Sequence, residues 1–348
     1  MLLFIKKYFG WRNWAVLVYN SIFENVFILF YILLREQKTG TEQLVQVLVF
    51  LLFSMFSTTY GYLINDYADM ELDRAHGKAN TFSEDSKGRA LVVTMLFLLL
   101  SVVSGWYFSD HMDFLALWFI WIFIGSFYSL PPLRFKERGK PGLLLVVLAQ
   151  RLLPILLVFT AFGFERTGEI ILLAAYVFFR GLSSDVNHQV EDYENDLKTG
   201  TGTFAVSTGL GLAQKVLRFS LEMEKILLAV ILAMFLYVFA GFDLLPLMLL
   251  VTAVLLYYGA WVYSIFLFLK NPGEIVNPFK GRGNVFQLLH HSYPSVILSL
   301  VFSLIVSYFN PAFLILFVLM ALIRRLFSIQ LIKSTFIYRT LSKVVGRD

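Results

Sequence analysis

The sequence contains no cysteine and has few charged residues for its length. Without cysteine, the chain has no disulfide bond and no thiolate metal site. Charged residues make up 15% of the 348 residues, whereas a soluble domain usually carries about 25%. An ordinary soluble domain is therefore excluded, and we expect membrane lipids rather than nucleic acid around the protein.

Long apolar runs fill most of the chain. Hydrophobic residues make up 58% of the sequence, and the mean hydropathy is +0.71. Apolar runs of about 18 residues or more indicate transmembrane helices, whereas the strands of a membrane barrel alternate over about 10 residues. The bilayer also requires every backbone polar group to be satisfied within the span. The runs therefore predict an all-α integral membrane protein.

The apolar runs divide the chain into ten predicted spans. Gly, Pro, Asn and charged residues interrupt the runs and set the boundaries. The spans are 13–34, 44–64, 89–109, 112–128, 141–163, 168–186, 222–241, 243–269, 287–309 and 311–330. We predict a single transmembrane domain over residues 1–348.

The positions of the basic residues predict the orientation in the membrane. Most of the 29 lysines and arginines lie in the two terminal segments and the even-numbered loops, and the odd-numbered loops hold only Arg35, Lys38 and Arg166. Cytoplasmic loops carry the excess of Lys and Arg. We therefore expect both termini and the long even-numbered loops on the cytoplasmic side of the inner or plasma membrane.

The segment LINDYADMELDRAHGK, residues 63–78, gathers acidic residues where the second span ends. Asn65, Asp69 and Asp73 are spaced four apart, so a helix would place them on one face with Asp66 close by. Such close carboxylates repel each other unless a cation compensates, and hard oxygen ligands suit Mg²⁺. Taken alone, the segment is as compatible with a solvated acidic loop.

A second acidic segment favours the metal interpretation. SSDVNHQVEDYENDLKTG, at the end of the sixth span, repeats the three-to-four spacing with Asp185, His188 or Gln189, Asp192 and Asp196. Both segments are predicted on the same side of the membrane. Two such segments predict a pair of Mg²⁺ ions that hold a diphosphate between them.

Basic side chains for a diphosphate lie near these segments in the sequence. The fourth loop, YSLPPLRFKERGK, supplies Tyr128, Arg134 and Lys136, and Lys78 and Lys198 follow the two acidic segments. Arginine binds phosphate through two parallel hydrogen bonds, and lysine binds it as a point charge. These cations are therefore candidates for diphosphate binding.

Three of these segments resemble the motifs of the UbiA superfamily of intramembrane prenyltransferases. NDYADMELD, residues 65–73, resembles the NDxxDxxxD motif. DYENDLKTGTGTFAV, from residue 192, resembles the DxxxD motif that precedes a Gly, a Thr and an apolar run. YSLPPLRFK, residues 128–136, resembles the YSxPPxRxK loop. The motifs follow the second, sixth and fourth spans as in the family, and the resemblance covers roughly the first nine spans.

The resemblance implies a helical bundle of nine to ten spans around a central cavity and a role for each motif residue. The implied metal ligands are Asn65, Asp66, Asp69, Asp73, Asp192 and Asp196. The implied diphosphate-binding residues are Asn65, Lys78, Arg134, Lys136 and Lys198. The expected catalytic residues are Asp66, Asp69, Asp192, Tyr128 and His188, with His188 as an acceptor contact or proton acceptor.

The chain departs from the family pattern in two places. Many members have Arg-Pro shortly after the first motif, where this chain has Asn80 and Thr81 in HGKANTF. The tenth span and the basic tail, residues 311–348, are additional to the usual nine spans.

The expected activity is Mg²⁺-dependent transfer of an isoprenoid chain from a prenyl diphosphate to a lipophilic, aromatic acceptor. The alternative within the same superfamily is a terpene cyclase that needs no acceptor. A cation transporter is a third possibility, which would predict internal repeats and broken spans. The acidic residues lie at span ends rather than at mid-membrane, which disfavours a transporter.

Overall fold

The computed structural model describes residues 2–270, 278–279 and 283–344, and this part of the chain is helical throughout. Helix accounts for 82% of the chain, and the described residues contain no strand. One isolated bridge joins Gly139 and Thr203. The all-α prediction is confirmed.

The helices are numbered here in chain order. The first nine are α1 Leu2–Tyr8, α2 Trp11–Val18, α3 Ser21–Glu24, α4 Val26–Arg35, α5 Thr41–Ala75, α6 Lys87–Gly105, α7 Met112–Phe127, α8 Gly139–Val147 and α9 Leu153–Ala161. The next ten are α10 Thr167–Glu191, α11 Tyr193–Thr199, α12 Phe204–Thr208, α13 Leu210–Val238, α14 Leu244–Lys270, α15 Val285–Gln287, α16 Ser299–Phe309, α17 Leu314–Ile323, α18 Ile329–Ser334 and α19 Phe336–Val344. Two π-helical segments, Leu148–Leu152 and Leu288–Leu298, join α8 to α9 and α15 to α16.

The helices form two compact units. Unit one contains residues 1–23 and 45–220, and unit two contains residues 24–44 and 221–348. The expectation of one domain over 1–348 stays a prediction.

Unit one is packed around aromatic side chains. The ring centroid of Phe50 lies 5.5 Å from that of Phe108 and 5.6 Å from that of Phe162. The indole N–H of Trp121 donates to the carbonyl oxygen of Ala149 at 2.7 Å, beside the first π-helical segment. A π-helical turn leaves carbonyl groups without their usual helical partner, and this hydrogen bond satisfies one of them.

Unit two has its own aromatic core and a buried polar pair. The rings of Phe27, Phe235 and Phe302 lie within 6.4 Å of one another, centroid to centroid. Glu224 and His290 are both buried and form a hydrogen bond, which pairs two polar groups that would otherwise be costly to bury.

Within the described part of the chain, five helices are long and apolar enough to cross a membrane. They cover Thr41–Ala75, Lys87–Phe108, Gly139–Ala161, Leu244–Lys270 and Val285–Phe309. The predicted spans at 13–34 and 311–330 differ from the observed helices. The first of these spans is divided among α2, α3 and α4. In the second, α17 ends at Ile323, seven residues before the predicted end of the span. The integral membrane class is confirmed, and the count of nine to ten spans stays a prediction.

A polar side chain explains a break in the first predicted span. Asn20 accepts hydrogen bonds from the backbone N–H of Ile22 at 2.9 Å and from that of Phe23 at 3.4 Å. Asparagine side chains compete in this way with helical hydrogen bonds. α2 therefore ends before Asn20, and α3 begins after it.

The second predicted span continues past its expected end at residue 64. α5 runs to Ala75 and has 35 residues, which corresponds to about 52 Å at 1.5 Å per residue. The first acidic segment therefore lies on the last three turns of a continuous helix.

Candidate active site

The first acidic segment presents its carboxylates from the end of α5. Because α5 stays helical through Ala75, Asn65, Asp69 and Asp73 lie along one stripe, as their spacing predicts. Asp66 is buried, whereas Asn65, Asp69 and Asp73 are partly exposed. The stripe thus offers oxygen atoms at the surface of unit one.

Asp69 is the carboxylate that meets the basic loop. Arg134 Nη2 donates to Asp69 Oδ1 at 3.1 Å, and Lys136 Nζ donates to Asp69 Oδ2. The side chains of all three residues are less than a quarter exposed. The structure therefore brings Asp69 together with two cations that lie 65 and 67 positions further along the sequence.

The backbone of the basic loop fixes these two cations. The N–H of Arg134 donates to Leu130 O at 3.0 Å, and the N–H of Lys136 donates to Tyr128 O at 3.0 Å. Arg134 has a φ of 39°, in the left-handed region that non-glycine residues rarely occupy. Such conformations cost about 1–3 kcal/mol and cluster at functional sites. The loop thus holds Arg134 in a conformation that its local sequence alone would not favour.

The charge of Arg134 is secured by its neighbours. Burial lowers the pKa of the guanidinium, but the hydrogen bond to Glu137 and the charge of Asp69 outweigh it and raise the pKa. Arg134 therefore carries its positive charge at any pH at which the protein functions.

Asp66 and Asp73 are held by the segment that departs from the family motif. The N–H and the hydroxyl of Thr81 both donate to Asp66 Oδ2, at 3.0 and 2.5 Å. The Asn80 amide donates to Asp66 O and to Asp73 Oδ2, both at 2.8 Å. Asn80 and Thr81 are buried. The HGKANTF segment is therefore part of the site and not a peripheral loop.

Ser129, the Ser of the YSxPPxRxK pattern, is a site residue whose partner the sequence does not predict. Its hydroxyl donates to the amide oxygen of Asn65, and Ser129 is fully buried. The hydrogen bond orients the Asn65 side chain. Its signal in the sequence is its place in the YSxPPxRxK pattern, directly after Tyr128.

The second acidic segment lies where α10 ends. Asp192 separates α10 from α11, and Asp196 lies within α11. Asp192 is exposed, and Asp196 is half-buried. Gly200 ends α11 with a φ of 68°, a conformation that glycine adopts without strain. The second segment is therefore the end of the long helix α10 followed by the short helix α11, rather than one continuous stripe.

Backbone hydrogen bonds connect the second segment to the basic loop. The N–H of Gly139 donates to Gly202 O at 2.9 Å, and the Gln189 side chain accepts from the N–H of Ala205 at 3.2 Å. The Gly-rich stretch after α11 therefore packs where the basic loop turns into α8.

Electrostatic contacts show that the three segments meet. Tyr128 lies close enough to interact with the charges of both Asp69 and Asp185. Burial raises the pKa of the Asp196 carboxyl and the charge of Asp192 raises it further, whereas the side chain of Thr203 and the charge of Lys78 lower it. Lys78, which follows the first acidic segment, thus acts on the second one.

His188 and Lys198 lie on the second segment. His188 is on the last turn of α10, is exposed, and interacts electrostatically with Asp185. Lys198 is on the last turn of α11 and is exposed. Both are thus near the predicted site, and their roles stay predictions.

The donor set matches Mg²⁺ in its chemistry. In the described part of the chain, no three His, Cys, Asp or Glu side chains converge closely enough to form a metal cluster. Mg²⁺ needs only one or two carboxylates, because waters and substrate phosphates complete its shell. Asp185 Oδ2 is buried and lacks a hydrogen-bond partner among the residues described here, so it has spare acceptor capacity beside the second segment.

Known structures share this fold. A UbiA homologue from Archaeoglobus fulgidus bound to GPP and Mg²⁺ matches with a TM-score of 0.53 and 21% identity, covering 87% of this chain and 98% of that chain. A digeranylgeranylglyceryl phosphate synthase matches with a TM-score of 0.51 and 17% identity, covering 87% and 97%. The same homologue from Archaeoglobus fulgidus bound to DMAPP and Mg²⁺ is 22% identical over 82% of this chain and 98% of that one, with a TM-score of 0.50.

Fold and site together define an all-helical membrane enzyme with acidic and basic motifs at helix ends. A family model, the UbiA prenyltransferase family, matches residues 26–280, well over half of the chain. The chain belongs to the UbiA prenyltransferase family, and it is a prenyltransferase. No curated protein matches it significantly by sequence.

Proposed function

We propose that the protein is a Mg²⁺-dependent enzyme that transfers an isoprenoid chain from a prenyl diphosphate to a lipophilic, aromatic acceptor. One observation carries the proposal: Asp69 of the first acidic segment is paired with both Arg134 and Lys136. A carboxylate that binds a metal and two cations that bind a diphosphate therefore occupy one place. The solved homologues bound to DMAPP or GPP with Mg²⁺ support this assignment.

The basic residues supply the binding energy for the diphosphate. Arg134 and Lys136 both pair with Asp69, so a bound diphosphate would replace one anionic partner of these cations with another. Lys78 and Lys198 are exposed on the neighbouring segments, and Lys78 interacts electrostatically with Asp196. When the allylic carbon–oxygen bond breaks, negative charge grows on the leaving diphosphate. Preorganised cations stabilise that charge more in the transition state than in the ground state.

The acidic residues would hold two Mg²⁺ ions. Asn65, Asp66, Asp69 and Asp73 are assigned to one ion, and Asp192 and Asp196 to the other. The ions would supply Lewis-acid stabilisation of the leaving diphosphate. Ser129 and Asn80 orient Asn65 and Asp73 for this role.

The isoprenoid chain is assigned to the apolar interior of unit one, around a cavity of about 20 Å³ that would have to widen to hold the chain. Its lining residues include Phe50, Phe53, Thr58 and Trp121. Thr58 lies two helical turns before Asn65 on α5, so both face the same side about 10 Å apart. The diphosphate and its apolar tail would therefore follow one face of a single helix. Exclusion of water there protects the allylic cation until the acceptor reaches it.

Two side chains are assigned to the steps that follow ionisation. Tyr128 lies beside Asp69 and Asp185, where its ring would face the carbocation and stabilise it. His188 is exposed on α10 and would contact the acceptor or take the proton that it loses. We also propose nine to ten membrane spans, with both termini and the motif loops on the cytoplasmic side, as the positions of the basic residues predict.

The test is diphosphate release by the purified full-length chain from prenyl diphosphates of several lengths, with Mg²⁺ or with EDTA. Release in Mg²⁺ and not in EDTA is expected, and equal release in both would contradict the proposal. Mass spectrometry of the products separates the alternatives. A prenylated aromatic acceptor supports the transferase, and a hydrocarbon or terpene alcohol formed without acceptor identifies a cyclase.

A further inference from the structure

A buried carboxylate in the loop after α5 contacts the N-terminal helix. Lys7 Nζ donates to Asp85 Oδ2 at 2.6 Å, and the Tyr8 hydroxyl approaches the same oxygen at 3.4 Å. The Asp85 side chain is only 2% exposed. A carboxylate buried to this degree is strongly destabilising without a charged partner. Asp85 therefore ties α1 to this loop.

Aromatic packing supports the same contact. The Tyr8 ring lies 4.7 Å from that of Phe4 and 6.0 Å from that of Phe82, centroid to centroid. Phe82 follows Thr81 directly and is fully buried. The contact between Tyr8 and Phe82 thus holds α1 against the loop, directly beside Thr81, which binds Asp66.

The loop is also fastened to α5 from its other side. Arg74 Nη2 donates to Ser83 O at 3.0 Å and to Asp85 O at 3.3 Å. Arg74 directly follows Asp73 on α5. The loop that carries Asn80 and Thr81 is therefore held between α1 and the end of α5.

We propose that Lys7, Tyr8 and Asp85 are positioning residues for the diphosphate site. They hold the loop so that Thr81 donates two hydrogen bonds to Asp66 and Asn80 donates to Asp73. Residues 2–8 precede the segment that matches the family model, which begins at residue 26. The inference rests on the proposed function, because it concerns how the same acidic segment is oriented.

These contacts link α1 to Asp66 in series, through Asp85 and Thr81. Loss of the Lys7 charge leaves Asp85 with Tyr8 and with Arg89, whose Nε lies 3.5 Å from Asp85 Oδ1. The helix α1 then loses its ionic attachment, while the core of unit one is untouched. The loop loosens, and Thr81 no longer fixes Asp66. Residues that orient metal ligands from outside the ligand set change metal affinity by about 10–100-fold when removed.

The test measures Mg²⁺-dependent binding of inorganic diphosphate to the purified full-length chain by calorimetry, together with the Mg²⁺ concentration for half-maximal diphosphate release. Lys7→Met should weaken both by about tenfold. Lys7→Arg keeps the ion pair and should restore parental values. Lys6→Met is the matched control, because Lys6 is exposed one residue earlier on the same helix, and it should change neither.

A double variant separates positioning from general stability. If α1 acts through Thr81, Lys7→Met should add little to the effect of Thr81→Val, since coupled residues are not additive. Additive losses, or a Lys7→Met variant that unfolds at lower temperature yet binds Mg²⁺ and diphosphate like the parent, would overturn the inference. A parent chain without Mg²⁺-dependent diphosphate binding would overturn both this inference and the proposed function, whereas variants that match a binding parent overturn the inference alone.

Discussion

The two acidic segments differ in how their charge is compensated. In the first, Asp69 pairs with two cations, Asp66 accepts from Thr81, and Asp73 accepts from Asn80. In the second, no ion pair within 4 Å joins Asp192 or Asp196 among the described residues. The first segment is fixed by its own protein contacts, whereas the second stays open and charged at a helix break. A site that binds metal and diphosphate gains from both features, because one side is preorganised and the other is available.

The largest effect is expected at Asp69, because this carboxylate is an assigned metal ligand and also pairs with both Arg134 and Lys136. Asp69→Asn should lower the rate of diphosphate release by about a thousandfold. It should also lower the free energy of unfolding by about 1.5–3 kcal/mol, because Arg134 and Lys136 lose their charged partner. A phosphate-release assay and thermal unfolding in detergent measure the two quantities.

Glu71→Gln is the control for Asp69→Asn. Glu71 lies two residues further on α5, is exposed, and pairs at the surface with Lys87 at 3.0 Å. Exposed ion pairs of this kind contribute little to stability, so both quantities should stay at parental values. Equal losses in the two variants would mean that the charge of the helix end matters and not the position of Asp69.

Asp192→Asn should separate activity from stability. Because Asp192 is exposed and outside any ion pair in the described residues, its loss should lower diphosphate release by about a hundredfold and leave the unfolding temperature unchanged. A steady-state assay over a range of Mg²⁺ concentrations should show a higher half-saturating concentration. Full activity in this variant would remove the second segment from the metal site.

Much of this comparison follows from local spacing in the sequence. The positions four apart in NDYADMELD predict one helical stripe, and the structure confirms it because α5 has no residue that stops a helix before Ala75. The apolar runs likewise predict the membrane helices. Both features can be predicted because they depend on residues close together in the chain.

Other features depend on contacts between distant residues. The sequence does not show that Arg134 and Lys136 meet the same carboxylate, or that Ser129 orients Asn65. The sequence also does not show the break at Asp192, because the spacing of Asp185, Asp192 and Asp196 fits one continuous helix as well as a long helix followed by a short one. Asn80 and Thr81 are visible only as a departure from the family motif, and their partners emerge from the folded loop.

The helix that carries the second segment is anchored by a close contact further into unit one. A Cβ atom at Gly181 would lie 2.5 Å from Cγ and 2.9 Å from Cβ of Arg151, which lies near enough to Asp185 to interact with it. Gly181→Ala should therefore push α10 away and destabilise the protein by about 1–3 kcal/mol. Thermal unfolding measures this change, and diphosphate release should fall less than in Asp192→Asn.

Gly125→Ala is the matched control for Gly181→Ala. No atom lies within 4 Å of a Cβ placed at Gly125 on α7, so alanine there should stabilise the helix by up to about 1 kcal/mol. If both variants lose the same stability, the contact between Gly181 and Arg151 is not what anchors α10.

The smallest expected effect is the pH dependence of stability that Asp196 contributes. Burial and the neighbouring Asp192 raise the pKa of the Asp196 carboxyl in the folded protein. Between its unfolded and folded pKa values the folded state binds more protons, so this group's contribution to stability falls as the pH rises. In EDTA, the parent should thus be less stable than Asp196→Asn at pH 7, and the difference in free energy of unfolding should shrink as the pH is lowered toward 4. A difference that is constant with pH would show that Asp196 is as well compensated as Asp69, and the contrast between the two segments would disappear.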